Sequence, residues 1–193
     1  AHSGDILVGT QMVAKGLDFP QVTLVGAVAA DLDLHLADFR AAERTFALLT
    51  QVSGRSGRAR PGEAIIQTYA PQHPAIAFAA QHDYDGFAHA ELAERRGLRW
   101  PPFRRLAQLG AIGRSRRAVE DAIARWADVL REDPRFEVLG PAPAPVARVN
   151  EEWRYRLAVR TKDLDALRAA IRARILPLVV PAGGVRIAIA IEA

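Results

Sequence analysis

The chain has no cysteine in 193 residues, a single methionine, and only two lysines among 26 basic side chains. Without cysteine it can form neither a disulfide nor a thiolate metal site. Its five histidines, His2, His35, His73, His82 and His89, lack the spacing and acidic neighbours of a metal site, so no metal ligand is expected from them. No apolar run approaches the roughly 20 residues that span a bilayer. No secretory signal opens the chain either, and a cytoplasmic protein with no membrane partner is expected. What the chain does have is apolar content and arginine. Half of its residues are hydrophobic, which excludes disorder as the dominant state, and the length admits one large or two modest domains. The 24 arginines are unevenly spread. Residues 1–97 carry 8 basic and 11 acidic side chains, a net −3, whereas residues 98–193 carry 18 and 11, a net +7. The second half is the part suited to a polyanion or an acidic peptide. A GC-rich genome also produces arginine excess, which leaves Lys15 conspicuous beside Lys162.

Hydrophobic patterning divides the chain. "DILVG" (5–9), "VTLVGAVAAD" (22–31) and "GEAIIQTY" (62–69) read as buried parallel strands. Phe39, Ala42, Phe46 and Leu49 fall at helical spacing within 37–55, and residues 74–96 read as helix broken near Asp83. This order implies an α/β layer with a parallel sheet. The prolines of "RWPPF" (99–103) end the helix and mark a boundary. Beyond it the pattern reads strand (104–113), helix (115–131), strand (136–140), an interrupted strand (about 144–160), helix (163–174) and strand (185–191), a βαββαβ α+β unit. "GPAPAP" (140–145) is expected to break the middle of that unit. Ser115 is the expected N-cap of a helix with Val119, Ile123, Trp126 and Leu130 on one face.

Two segments of the first half carry chemistry. In "QVSGRSGR" (51–58), Arg55 and Arg58 project from one side of a helix end, and Gly54 and Gly57 leave room for a ligand. Guanidinium forks suit phosphates, and Gln51 can orient a water or a phosphate oxygen. Read alone, the segment is equally a helix C-terminus capped by Gly57, with arginines favoured by the dipole. In "ILVGTQMVAKGLDFP" (6–20), Thr10, Gln11 and Lys15 can hold nucleic-acid phosphates or sugars, Gly16 permits a tight turn, and Asp18 can accept from a ribose hydroxyl or cap a helix. A parallel sheet would bring both segments to one edge.

Together and in this order the segments resemble motifs five and six of superfamily-two helicases. "ILVGTQMVAKGLDFP", "ADFRAAER", "TQVSGRSGRA", "GEAIIQTYAPQHPAI", "ELAERRGLRWPPFRRLA" and "VLGPAPAPVARVNEEWRYRLAVR" in sequence resemble the primosomal replication-restart DNA helicases, the PriA (primosomal protein N′) family, over essentially the whole chain. The resemblance implies that residues 1–100 are the carboxy-terminal part of the second, RecA-like motor lobe, and that 104–193 form a carboxy-terminal domain for DNA and partners. It implies that Arg58 is the arginine finger on the γ-phosphate of ATP, with Arg55 and Gln51 beside it as catalytic residues. Gly16 and Asp18 would touch the nucleotide, and Thr10, Gln11 and Lys15 would line a single-stranded DNA track. ATP and magnesium would be held mainly by a lobe absent from this chain. The GK[ST] loop, the acidic magnesium box and the family's zinc cysteines are not here. The chain is therefore expected to be the distal part of a longer protein and inactive alone. Implied partners are single-stranded and forked DNA, single-strand-binding protein and other primosome proteins.

Charge in the second half is consistent with that role. Arg154, Arg156 and Arg160 share one strand face, while Trp153, Tyr155 and Leu157 share the other. Arginine with aromatics equips a surface for single strands, which makes Trp153, Arg154 and Arg156 candidate DNA contacts. Tyr155 is equally a core residue, and Asp38, Arg40, Glu43 and Arg44 equally form an ion-pair network. Two rivals remain at this stage: a DNA-binding relative whose ATPase has decayed, and a metabolic phosphate-binding domain that reuses the arginine pair.

Overall fold

The computed structural model describes residues 6–10, 22–36, 38–54, 62–179 and 184–192. The chain divides into two compact units, Ala1–Ala93 and Glu94–Ala193.

In the first unit, strand β1 (Leu24–Ala27) pairs in parallel with β2 (Glu63–Ile66), Leu24 opposite Glu63 and Ala27 opposite Ile66. A 3-10 turn, Leu32–His35, follows β1, and helix α1 (Ala41–Ser53) crosses between the strands. Helix α2 (Pro74–Ala80) begins with a proline, whose missing N–H costs nothing there, and His73 Nδ1 caps it by accepting from Ala75 N at 3.2 Å. Helix α3 (Tyr84–Leu98) starts after a break at residues 81–83, where the Asp83 carboxylate accepts from Gly86 N at 2.8 Å. Phe46, Leu49, Ala75, Ile76, Ala79 and Phe87 form the core, with the Phe46 and Phe87 rings stacked 4.2 Å apart. The strand expected at 5–9 is not formed over the described residues 6–9, where Ile6, Leu7 and Val8 are exposed. A lone extended segment has no ladder to join: among the described residues β1 and β2 pair only with each other.

The second unit follows the predicted order. Strand β3 (Arg105–Gly113), helix α4 (Arg116–Arg131), strands β4 (Glu137–Val149) and β5 (Glu152–Thr161), helix α5 (Leu164–Ala170) and strand β6 (Val185–Glu192) build one antiparallel sheet in the order β4-β5-β3-β6. α5 loosens into a π turn at Ile171–Ile175 and a 3-10 turn at Leu176–Leu178. Ser115 Oγ caps α4 by accepting from Ala118 N, and Asp163 Oδ1 caps α5 by accepting from Ala166 N at 2.9 Å. Val119, Ile123, Trp126 and Leu130 face the sheet and are buried against Leu109, Leu157 and Val159. Gly113 lets the chain approach closely, since a Cβ there would stand 2.6 Å from the Gly184 carbonyl oxygen.

The expected break at 140–145 is a correction. β4 runs through "GPAPAP" to Val149, and β5 begins only at Glu152. β4 is an edge strand, so missing proline N–H groups are tolerated, and two register shifts absorb the misfit. Asn150 and Glu151, with φ of 48° and 65°, make the two-residue turn that joins the strands.

Candidate nucleic-acid interface

In an open parallel sheet, ligands gather at the carboxyl ends of the strands. Asp31, 5% exposed, stands just beyond the end of β1 and accepts from Thr68 Oγ1 at 3.0 Å and Tyr69 N at 3.2 Å, just beyond β2. Burial alone would raise its carboxyl pKa. Hydrogen bonds from its own backbone, Tyr69 and Thr68 outweigh that and hold it below the usual value. Asp38 plays a similar part at the start of α1, accepting from Arg40 N at 2.9 Å and pairing with Arg44 at 2.7 Å. Its pKa is also lowered, burial being outweighed by Arg40 and Arg44. Two carboxylates thus pin the segment that leads into α1.

α1 ends, in sequence, just before the arginine segment. Gln51 lies exposed in its last turn, and Gly54 N closes the helix onto the Thr50 carbonyl at 3.1 Å. Thr10 is exposed and outside any helix or strand. Arg55, Arg58, Gln11, Lys15, Gly16 and Asp18 lie outside the described residues. Among the described residues no group of three or more His, Cys, Asp or Glu is placed to hold a metal ion, so they do not fit a zinc site.

In the second unit β5 alternates as its sequence requires. Tyr155, Leu157 and Val159 enter the core, while Arg154, Arg156 and Arg160 take the opposite face. On that face β3 and β6 set Gly110 and Ala188 beside Arg156, and Ile112 and Arg186 beside Arg154. Gly110 and Ala188 leave little side-chain bulk beside Arg156. Arg160 is committed: it donates to the Leu98 carbonyl and to Glu137 at 2.6 Å, and lies 5.0 Å from the Trp100 ring. Arg186 pairs with Glu152 at 2.5 Å. Arg154 keeps a buried Nε with no hydrogen-bond partner, an arrangement that costs stability unless a ligand or water supplies an acceptor.

Trp153 belongs to the other face, so the structure brings Arg154 and Arg156 together but separates them from Trp153. Its ring already carries two cations, with Arg116 at 5.3 Å and Arg148 at 5.5 Å from the centroid. Beside it the Glu120 carboxylate accepts from the Tyr155 hydroxyl and from Arg116 Nε at 2.8 Å, bonds that lower the Glu120 pKa. Tyr155 is thus a core residue whose hydroxyl also ties the sheet to α4. Neither Arg186 nor Asp31 stands out in the sequence. Arg186 was within reach of the period-two pattern of "VRIAIAIE", but its pairing with Glu152 depends on a register that only the fold supplies.

Comparison with known proteins covers both units. A family model described as Primosomal protein N C-terminal domain matches residues 96–189. The replication restart protein PriA of Synechocystis sp. is 48% identical over 159 residues, 81% of this chain and 19% of that protein. The PriA proteins of Bacillus subtilis and Treponema pallidum are 44% and 42% identical, over 87% and 93% of this chain and 21% and 28% of their own lengths. The chain therefore spans between 19% and 28% of the length of these relatives. Among solved structures, the de novo designed protein Foldit4 covers 47% of the chain at a TM-score of 0.36 and 16% identity, too slight a likeness to carry an argument. Homology that begins in the parallel unit, runs through the βαββαβ unit and is anchored there by a domain model leads to one conclusion: the chain belongs to the PriA family of replication restart proteins and corresponds to the carboxy-terminal part of its members.

Proposed function

We propose that this chain is the distal part of an ATP-dependent DNA helicase that reloads the replication machinery at stalled or collapsed forks. Residues 1–100 complete a RecA-like motor lobe, and residues 104–193 bind DNA and primosome partners, single-strand-binding protein included. Arg58 is the arginine finger, assisted by Arg55 and Gln51. Gly16 and Asp18 contact the nucleotide, while Thr10, Gln11 and Lys15 follow the single strand. ATP and magnesium act when bound, and their phosphate-cradling loop and acidic box are supplied from outside this chain. Arg154 and Arg156 provide a cationic sheet face.

The observation that carries this reading is the ordered similarity to restart proteins over both units. One feature of the described residues is consistent with it: α1 is pinned at its start by Asp38 and Arg44 and carries Gln51, exposed, in its last turn. A positioned arginine neutralises charge as a phosphoryl group transfers, and its removal costs roughly 10³ or more in turnover. In the complete protein, Arg58→Ala should abolish DNA-stimulated ATP hydrolysis while DNA affinity stays within about twofold of the parent. Retained hydrolysis, or lost DNA binding in its place, refutes the assignment. DNA binding with no ATPase in the unmodified complete protein would instead favour a decayed, non-motor relative.

A further inference from the structure

We infer that Trp153 does not stack on bases but holds Arg148 rigid, and that Arg148, with Arg114 and Arg116, forms a phosphate clamp for a nucleic-acid strand. The inference rests on the DNA-binding reading above and places Arg116 and Arg148 at the Trp153 face of the sheet, opposite Arg154 and Arg156, with Arg114 at the strand end beside them.

The three residues come from three elements whose backbones meet at one corner. Arg148 lies near the end of β4, in register with Trp153 on β5. Arg114 follows Gly113, which pairs with Trp153 from the other side. Arg116 opens α4. All three are exposed. Their commitments differ. Arg116 gives its Nε to Glu120, whereas among the described residues Arg148 and Arg114 have no carboxylate or carbonyl partner. Among the described residues Arg148 instead lies over the face of Trp153.

That contact decides the chemistry. An arginine lying on an indole loses rotamer freedom while its planar N–H fork stays directed outward, so less entropy is lost when it meets a phosphate. With two cations already over its ring, the indole is poorly placed to receive a base. Trp153 is in turn fixed from below, since it packs against the core beside Tyr155, and the Tyr155–Glu120–Arg116 chain fixes the second cation. Three exposed cations spread over a strand end, a helix start and a second strand suit the repeated phosphates of a backbone. They do not enclose a single acidic side chain. Of the nearby acids among the described residues, Glu152 is engaged by Arg186 and Glu120 by Tyr155 and Arg116, while Glu151, exposed in the β4–β5 turn, makes no ion pair with Arg148.

The test uses the whole 193-residue chain and a fluorescent oligothymidine, with affinity measured by anisotropy across a salt series. The double variant Arg114→Ala/Arg148→Ala, at exposed positions, should weaken binding about tenfold at low salt and reduce the slope of log K against log salt by about 1.4, the value for two phosphate contacts on a single strand. Trp153→Leu keeps apolar packing but removes the platform. It should weaken binding about as much as Arg148→Ala, and combining the two should add little. An unchanged affinity and slope in the double variant overturns the clamp, while the helicase reading stands if the parent chain binds. Additive losses from Trp153→Leu and Arg148→Ala overturn the positioning role, because the ring would then act on its own. Displacement of the oligonucleotide by polyglutamate of matched charge as readily as by unlabelled oligothymidine also overturns it. A parent chain that ignores oligothymidine at low salt would sink the DNA-binding reading itself.

Discussion

The two units bury their apolar surface very differently. In the second, sixteen buried residues form one cluster beneath α4 and α5. In the first, the described core has six, and β1 and β2 leave large apolar side chains in solvent: Leu24 is 57% exposed, Ile65 52% and Val28, just past β1, 79%. A parallel sheet is normally covered on both faces, whereas an antiparallel sheet can stand with one face wet. The second unit obeys its rule within this chain. Among the described residues the first does not, and its buried core lies between helices α1, α2 and α3.

That contrast can be broken most directly at Trp126, which is fully buried in the second unit. Trp126→Ala should cost about 3–5 kcal/mol and remove the later of two unfolding transitions in a urea titration followed by circular dichroism. A single transition for both units in the parent chain would show that the difference in burial carries no difference in stability.

Acid should sharpen the comparison at smaller scale. Glu120 is held below its ordinary 4.5, first by the Tyr155 hydroxyl and then by Arg116, and Asp133 is held at about 2 by Arg135. Both pKa values are depressed by folding, so their contributions are complete above the ordinary values. They fade as pH falls from about 4.5 toward 2. Glu120→Gln should therefore lower stability at neutral pH and flatten the decline of the second unit below pH 4.5, read from urea midpoints at successive pH values. A decline as steep as the parent's would remove Glu120 from the account.

The smallest effect is expected at the β4–β5 turn. Glu151 sits at a φ of 65°, in the left-handed region that costs a non-glycine residue about 1 kcal/mol. Glu151→Gly should raise the melting temperature of the second unit by a few degrees. No shift, or a fall, would mean that the side chain supports the turn in a way its backbone angle does not reveal.

Much of this was legible in the sequence because local rules and the fold agreed. Ser115 reads as a cap and is one; Val119, Ile123, Trp126 and Leu130 read as one helix face and are buried together. The alternation that sends Arg154 and Arg156 away from Tyr155 needed only the period of a strand. Legibility failed where an outcome depended on neighbours. "DILVG" is as apolar as a buried strand, but a strand needs a paired partner and none is described for it. "GPAPAP" reads as a break unless it is known to lie at a sheet edge. The fate of Trp153 depended on Arg116 and Arg148, 37 and 5 positions away, meeting over its ring. The roles assigned to Arg55, Arg58, Gly16 and Asp18 come from family resemblance and lie outside the described residues.

The prolines at 141, 143 and 145 leave β4 short of amide donors along one border of the four-stranded sheet, while β6, which has no proline, turns alternate amides outward at the other. A visiting strand that sought to lengthen the sheet would find one side refusing it and the other receptive. Among the described residues, lateral extension is hindered at β4 and open at β6.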